Sequence, residues 1–261
     1  MDQATVLTRV DELGRATLTL NRPQIHNAFD DQLVAQLSHA LRLLEADEAV
    51  RVVLLTGAGK NFCAGADLGW MRRVADFSFE ENLADAGALA ELFRTLHALK
   101  KPTIAVVRGV AYGGGVGLVS CCDIAVAAPG ASFCLSETRL GLIPALISPY
   151  IVPAIGVRAA QRYCLSAEPF DAAEAHRLGL IHEVADDPDA VADRISRALL
   201  KCAPHAVAAA KEQVARVAGA EPSRELIEDT VQRIATLRAS AEGKEGLSAF
   251  LGKRAPGWAK G

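Results

Sequence analysis

The feature that most constrains this chain is the run from Arg108 to Asp123, with three consecutive glycines, Gly113-Gly114-Gly115, between two apolar segments. Before it, Pro102 opens the apolar stretch Thr103 to Val107, which reads as a buried strand. After it, Ile124 to Ala128 reads as another. Glycines let a backbone approach its neighbour closely, and the residues that follow can start a helix near Gly114. Such a start presents unpaired N–H groups and a positive dipole end. It suits an oxygen on which negative charge develops.

Spacing removes three glycine-rich alternatives. A dinucleotide fingerprint needs G-x-G-x-x-G, but Leu118 stands where the third glycine belongs. A phosphate loop needs G-x-x-x-x-G-K-[ST], whereas Gly59-Lys60 is followed by Asn61 and preceded by Leu54 at the required offset. A serine-nucleophile elbow needs G-x-S-x-G, and Ser120 lies between Val119 and Cys121. A tight strand-to-helix connection without chemistry stays open at this point.

Over 261 residues, 51% apolar content supplies a sizeable core, so the chain is expected to be folded over most of its length. A net charge of -3 gives no basis for non-specific nucleic-acid binding. No apolar run is long enough for a membrane span, and the N-terminus lacks a secretory leader pattern. The six cysteines, Cys63, Cys121, Cys122, Cys134, Cys164 and Cys202, lack C-x-x-C spacing. They read as buried thiols in a reducing cytoplasm. The six histidines form no ligand pattern, and no metal is expected.

Thr5 to Val10 and Arg15 to Leu20 alternate as two strands turned at Leu13-Gly14. Asp30 caps a helix whose Leu33, Leu37, Leu41 and Leu44 recur at helical spacing. Val50 to Thr56 is a buried strand, followed by a loop from Gly57 to Leu68. A second long helix is expected near Phe77 to Leu99, with Leu83, Ala90, Phe93 and Leu96 on one stripe. Ser148-Pro149 reads as an N-cap and first-turn pair, and Asp171 to Glu174 as a capping box. From Asp187 onward the pattern is helical: Pro188 to Cys202, Pro204 to Ala218, Ser223 to Ala239 and Glu242 to Leu251. Ile227, Val231, Ile234 and Leu237 share one face, which calls for a packing partner elsewhere in the protein or on another subunit.

Several motifs in order carry a resemblance: Asn21-Arg22-Pro23…Asn27-Ala28, Phe62 to Leu68, Gly109 to Asp123, Phe133…Ser136-Glu137…Leu140-Gly141…Pro144, and Ala249-Phe250…Lys253-Arg254. On these the chain resembles the crotonase superfamily, the enoyl-CoA hydratase/isomerase family, over nearly its full length. The resemblance implies an α/β fold, a crotonase-type spiral of repeated β-β-α units, with a C-terminal helical trimerisation region. Residues 1–200 would form the spiral core and 201–261 the oligomerisation region of a homotrimer or a dimer of trimers. The substrate would be an acyl-CoA thioester, with no cofactor besides the CoA it carries.

The resemblance implies an oxyanion hole made by the backbone N–H groups of Ala66 and Gly114, and it makes Glu137 the catalytic carboxylate. By itself the segment around Glu137 fits either a surface loop or an apolar pocket; burial would raise its pKa and suit it to proton transfer near neutrality. CoA contacts are implied for Gln24, His26 and Ala28, for Ala64, Ala66, Asp67 and Leu68, and for Gly113, Gly114, Gly117 and Ser136. Phe250 and Lys253 match residues that reach CoA from a neighbouring subunit. Gln24 stands where many relatives carry a lysine, which removes one phosphate contact.

Two departures bear on the reaction. Hydratases of the family usually carry a first glutamate in a G-G-G-x-E pattern, and that position here is Gly117. After Pro144, Ala145-Leu146-Ile147-Ser148-Pro149 replaces a glycine-rich segment, so this part of the pocket is expected to be bulkier and more apolar. Single-glutamate members include Δ3-Δ2-enoyl-CoA isomerases and hydratases of branched or acidic enoyl-CoAs. The local sequences are most similar to methylglutaconyl-CoA and isoprenoid glutaconyl-CoA hydratases. Hydration is the expected activity, isomerisation the alternative, and a catalytically weak acyl-CoA-binding scaffold a third reading.

Overall fold

A computed structural model describes residues 4–259, so the outermost ends of the expected 1–200 and 201–261 regions lie outside the described residues. The strands are β1 (Val6–Val10), β2 (Arg15–Leu20), β3 (Val52–Gly57), β4 (Thr103–Val107), β5 (Val110–Tyr112), β6 (Ile124–Ala127), β7 (Ser132–Cys134), β8 (Phe170–Asp171) and β9 (Glu183–Val184). The helices are α1 (Asp31–Ala46), α2 (Leu68–Ala75), α3 (Phe79–Ala98), α4 (Gly114–Cys121) and α5 (Ser148–Ser166). They continue with α6 (Ala172–Leu178), α7 (Pro188–Leu200), α8 (Pro204–Val217), α9 (Arg224–Ala239) and α10 (Ala241–Leu251).

The larger sheet has the order β1-β2-β3-β4-β6-β9, antiparallel only at the β1–β2 hairpin. Its central strands bury both faces, as parallel strands under helices do. In β4, Ala105 and Val107 join the main core, while Ile104 and Val106 meet Ala192 and Leu200 of α7 on the other side. The smaller sheet, β5-β7-β8, is continued by two parallel bridges, Cys63↔Ala111 and Phe29↔Ala66. β2, β3, β4 and β6 of the first layer are thus each followed by a short extended piece in the second. This stacking of turns is the expected spiral.

Between the layers and the helices lies the core. Asp30 caps α1 by accepting a hydrogen bond from Leu33 N at 2.8 Å, and Leu33, Leu37, Leu41 and Leu44 are buried as their spacing predicted. The stripe of α3 is Leu92, Phe93 and Leu96; Leu83, expected on it, is 64% exposed, because burial on this helix is confined to its C-terminal half. Ser148 does not cap α5: Ile147 holds that position, and the Ser148 hydroxyl donates back to Ala145 O instead. Asp171 does cap α6, but Glu174 binds the Tyr163 hydroxyl and Arg177 rather than closing the box. Cys202 is exposed, contrary to the expectation of uniformly buried thiols, because it lies just past the end of α7.

The last two helices form close to their expected spans, with Ser223 capping α9 and Ser240 capping α10, which begins at Ala241 rather than at the expected Glu242. Within this single chain α9 buries no residue, and Ile227, Val231 and Ile234 remain exposed.

One buried polar residue fixes the loop between β2 and α1. Asn27 is 0% exposed and adopts φ 56. Its amide donates to Ala58 O at 2.9 Å and Asn61 O at 2.7 Å, and its Oδ1 accepts from Arg22 N at 2.8 Å. Asn27→Ala leaves three backbone groups without these partners and places alanine in a left-handed conformation. We expect a loss of about 3 kcal/mol or more, read as a lower midpoint in urea unfolding.

Candidate active site

The site forms where three consecutive turns of the spiral end side by side. From β3 comes the loop Phe62–Leu68. Cys63 N donates to Val110 O at 3.0 Å and Cys63 O accepts from Tyr112 N at 2.9 Å, tying this loop to β5. Phe29 N donates to Gly65 O at 2.7 Å and Phe29 O accepts from Asp67 N at 2.8 Å. That pairing uses the groups on either side of Ala66 and directs its own N–H away from Phe29. Ala66 N–H has no acceptor among the described residues, and Ala66 is exposed.

The second turn ends at Gly113, which caps α4 with φ 50, a conformation that favours glycine. Gly113 N is occupied by Cys134 O at 2.8 Å, which leaves Gly114 N–H as the first free donor of the helix. Gly114 N–H likewise has no acceptor among the described residues. A Cβ on Gly113 would lie 4.0 Å from Gly65 Cα, so the two donor-bearing loops are in contact. A Cβ on Gly114 would press to 2.9 Å from Phe29 Cε2, and one on Gly115 to 2.6 Å from Cys63 O. Helix α4 starts here because three glycines let it seat against the preceding turn.

The third turn supplies Glu137, directly after Ser136 at the start of a short 3-10 helix, Glu137–Leu140. Its Oε1 lies 3.3 Å from where a Gly113 Cβ would be, so the carboxylate rests over the glycine that precedes the Gly114 donor. Its Oε2 is buried with no hydrogen-bond partner among the described residues. Burial pushes the Glu137 carboxyl above the usual glutamate range, and its own backbone N–H offsets this only in part. Two free N–H donors beside one hard-to-ionise carboxylate can polarise a carbonyl and move a proton at an adjacent atom.

The other expected residues fall around this centre. Gln24 and His26 are exposed on the loop before Asn27, and Asn61 Nδ2 lies 2.9 Å from His26 Nδ1. Ala28 O accepts from Arg22 Nη1 at 2.7 Å, and Ala64 N donates to His26 O at 3.0 Å, joining the two loops. Asp67 caps α2 through Trp70 N at 2.9 Å, and Leu68 beside it is 70% exposed. Phe250, 81% exposed near the end of α10, and Lys253 beyond it lie on the C-terminal segment. Gly117 is buried one turn along α4, against Ile147 and Phe93.

Two positioning residues had no role in the sequence reading. Arg22 binds Ala28 O and pairs with Asp30 at 2.6 Å, holding the loop under Ala66. Asn61 Oδ1 accepts from Val110 N at 3.0 Å, fixing the entry to β5. Arg22 lay within a quoted motif, so its type was visible but its partners were not. Burial pushes the thiols of Cys63 and Cys122 up to about 12, which leaves them poor nucleophiles. No cluster of three or more metal-binding side chains occurs among the described residues.

A family model described as Enoyl-CoA hydratase/isomerase matches residues 12–261. The chain is 36% identical over 262 residues to the 1,2-epoxyphenylacetyl-CoA isomerase of Escherichia coli, covering 96% of this chain and 97% of that one. It is 31% identical to the crotonyl-CoA hydratase of Syntrophomonas wolfei, covering 92% of each. Its structure is similar to that of an enoyl-CoA hydratase from Shewanella pealeana, with a TM-score of 0.95 and 45% identity over 97% of this chain and 96% of that one.

The raised pKa of Glu137 has a consequence for stability. The folded state holds this proton more tightly than the unfolded chain, so the group's favourable contribution is complete in acid and is lost as pH rises through the folded pKa. Glu137→Gln, which carries no charge at any pH, should therefore melt above the wild type at pH 8. The difference should shrink on acidification toward the unfolded glutamate pKa, as followed by circular dichroism.

Proposed function

The chain belongs to the enoyl-CoA hydratase/isomerase family, and on that premise we propose that it adds water across the 2,3 double bond of an enoyl-CoA thioester. The observation that carries this reading is the Glu137 carboxylate, with one oxygen buried and unpartnered, beside the free N–H groups of Ala66 and Gly114.

The thioester oxygen accepts from Ala66 N–H and Gly114 N–H, which stabilise the negative charge that develops there by about 3 kcal/mol per donor. The charged Glu137 carboxylate takes a proton from water as the hydroxide oxygen bonds to C3. The C2–C3 π electrons move toward the carbonyl and form the enolate. Glu137 then returns its proton to C2, on the same face. Only protons and water move, so the proposed reaction needs no cofactor beyond the CoA of the substrate.

Gln24, His26, Ala28, Ala64, Asp67, Leu68, Gly113, Gly117 and Ser136 are proposed to surround the thioester and its CoA. The acyl group is proposed to be branched or glutaconyl-like, a preference that rests on the local sequence likeness around Asp67-Leu68 and Gly117. Phe250 and Lys253 are proposed to reach the CoA of a neighbouring subunit, with residues 201–261 forming a trimer or a pair of stacked trimers. The exposed apolar stripe of α9 supports such an assembly. The free thiols fit a cytoplasmic location.

A second reading, double-bond migration, is favoured by the single carboxylate: shuttling one proton between two carbons needs no second acid. A product assay over straight, branched and carboxylated enoyl-CoAs separates the two, with water incorporation and double-bond migration scored independently. We expect hydration, falling at acid pH as Glu137 gains its proton, and a drop of at least ~10²-fold in Glu137→Gln. Migration without any hydration would replace the hydratase reading by the isomerase one, and no turnover on any substrate would remove both.

Light scattering at micromolar concentration should give the mass of three or six chains. Deleting residues 223–261 should abolish that assembly; a strictly monomeric wild type would refute it.

A further inference from the structure

Gly117 and Ile147 are thirty positions apart, each a departure from the motif pattern, and the fold puts them in contact. Gly117 lies one turn beyond Gly113, the cap of α4 over which the Glu137 carboxylate rests, and Gly117 N donates back to Gly113 O at 3.2 Å. A Cβ at Gly117 would run into Ile147 Cγ2 and would also come within 2.9 Å of Phe93 Cε1. Ile147 is 3% exposed and caps α5, so its branch point cannot swing away without moving that helix. Phe93 is held in turn, edge-on to Phe29 with centroids 6.4 Å apart and tilted against Tyr150 at 6.4 Å. Phe29 is the ring that packs on Gly114. One apolar wall therefore runs beneath α4 from the oxyanion donor to Gly117, and Ile147 closes its far end.

We infer that Ile147 and Gly117 form one steric unit that ends the acyl pocket: the Ile147 γ-methyl takes the volume a side chain at 117 would need. The unit sets how large an acyl group is accepted, and it excludes a second proton-carrying side chain from this face. The inference rests on the site binding acyl-CoA thioesters, as proposed above. A glutamate at 117 is excluded by the wall itself, before any substrate charge is felt.

The test is a set of variants read two ways. By thermal unfolding, Gly117→Ala should lower Tm by about 5 °C or more. Ile147→Ala also lowers Tm, through the cavity it leaves, but adding Gly117→Ala to it should cost clearly less than Gly117→Ala costs the wild type, because the methyl at 117 then meets only the Phe93 ring. Ile147→Val, which keeps the branch facing α4, should not relieve Gly117→Ala. By calorimetry with two unreactive saturated thioesters, Ile147→Ala should shift the ratio of dissociation constants toward octanoyl-CoA over butanoyl-CoA by at least 10-fold. The double variant should return most of that shift.

Additive losses in Tm, or relief by Ile147→Val as complete as by Ile147→Ala, would overturn the steric unit. An unchanged ratio in proteins that bind both thioesters would overturn its role in selectivity. If the wild type binds neither thioester, the proposed function fails and the selectivity role with it, while the Tm cycle still decides whether 117 and 147 are coupled.

Discussion

Everything at this site depends on backbone meeting backbone without side chains between. The loop that presents Ala66 and the start of α4 that presents Gly114 belong to successive turns of the spiral. They touch through Gly65 and Gly113. A Cβ at Gly115 would push against Cys63 O, and so would pry α4 off the turn that orients Ala66. The bridge between Cys63 and Ala111 holds the two turns in register. Gly109, with φ 59, makes the corner from β4 into β5, packed against Lys60 O and Asn61. Remove any of these approaches and the two N–H groups no longer point into one space.

Bringing polar loops this close has a cost, and the chain offsets it locally. Asn27, fully buried, makes three side-chain hydrogen bonds that join Arg22 N of its own loop to Ala58 O and Asn61 O of the loop after β3. Arg22 ties the same loop to Asp30, which also caps α1. The loop is thereby fastened to the most regular apolar helix of the fold. On the other side, no group among the described residues satisfies Glu137 Oε2. A buried carboxylate left in this state is destabilising when charged, and it is kept among loops that are otherwise well bonded. Stability is spread over the scaffold, and the strain is confined to the carboxylate proposed to carry the proton.

The wall beneath α4 changes how the two unusual positions are understood. A glycine at 117 removes a carboxylate only in a formal sense, because Ile147 and Phe93 already fill the room it would occupy. The missing side chain at 117 and the bulk at 147 are therefore one packing arrangement. The same wall, through Phe29, supports the start of α4 at Gly114, so the packing around Gly117 and the direction of the Gly114 N–H are linked.

Much of this was legible in the residues. Alternation in Arg15–Leu20, the leucine spacing after Asp30 and the apolar run Thr103–Val107 specify their elements locally, and each formed as read. The triple glycine before an apolar run located the start of α4, because Cβ atoms at Gly114 and Gly115 would collide with Phe29 and Cys63 O. Short elements were not legible. Strand β5 and the bridge at Ala66 exist only through partners that the spiral delivers, and three residues carry too little periodicity to announce a strand. The same holds for the cap of α5, where Ile147 displaced Ser148, and for Glu174, drawn from its box by Tyr163 and Arg177. The sequence determined the strands and the long helices, since these follow from nearest-neighbour chemistry; Glu137 stood out only through the family resemblance, because its own segment fits a surface loop as well as an apolar pocket. Only the tertiary structure decided that Glu137 lies over Gly113 and that Ile147 fills the space beside Gly117. Those contacts join turns of the spiral distant in sequence, and their distances follow from how the turns stack.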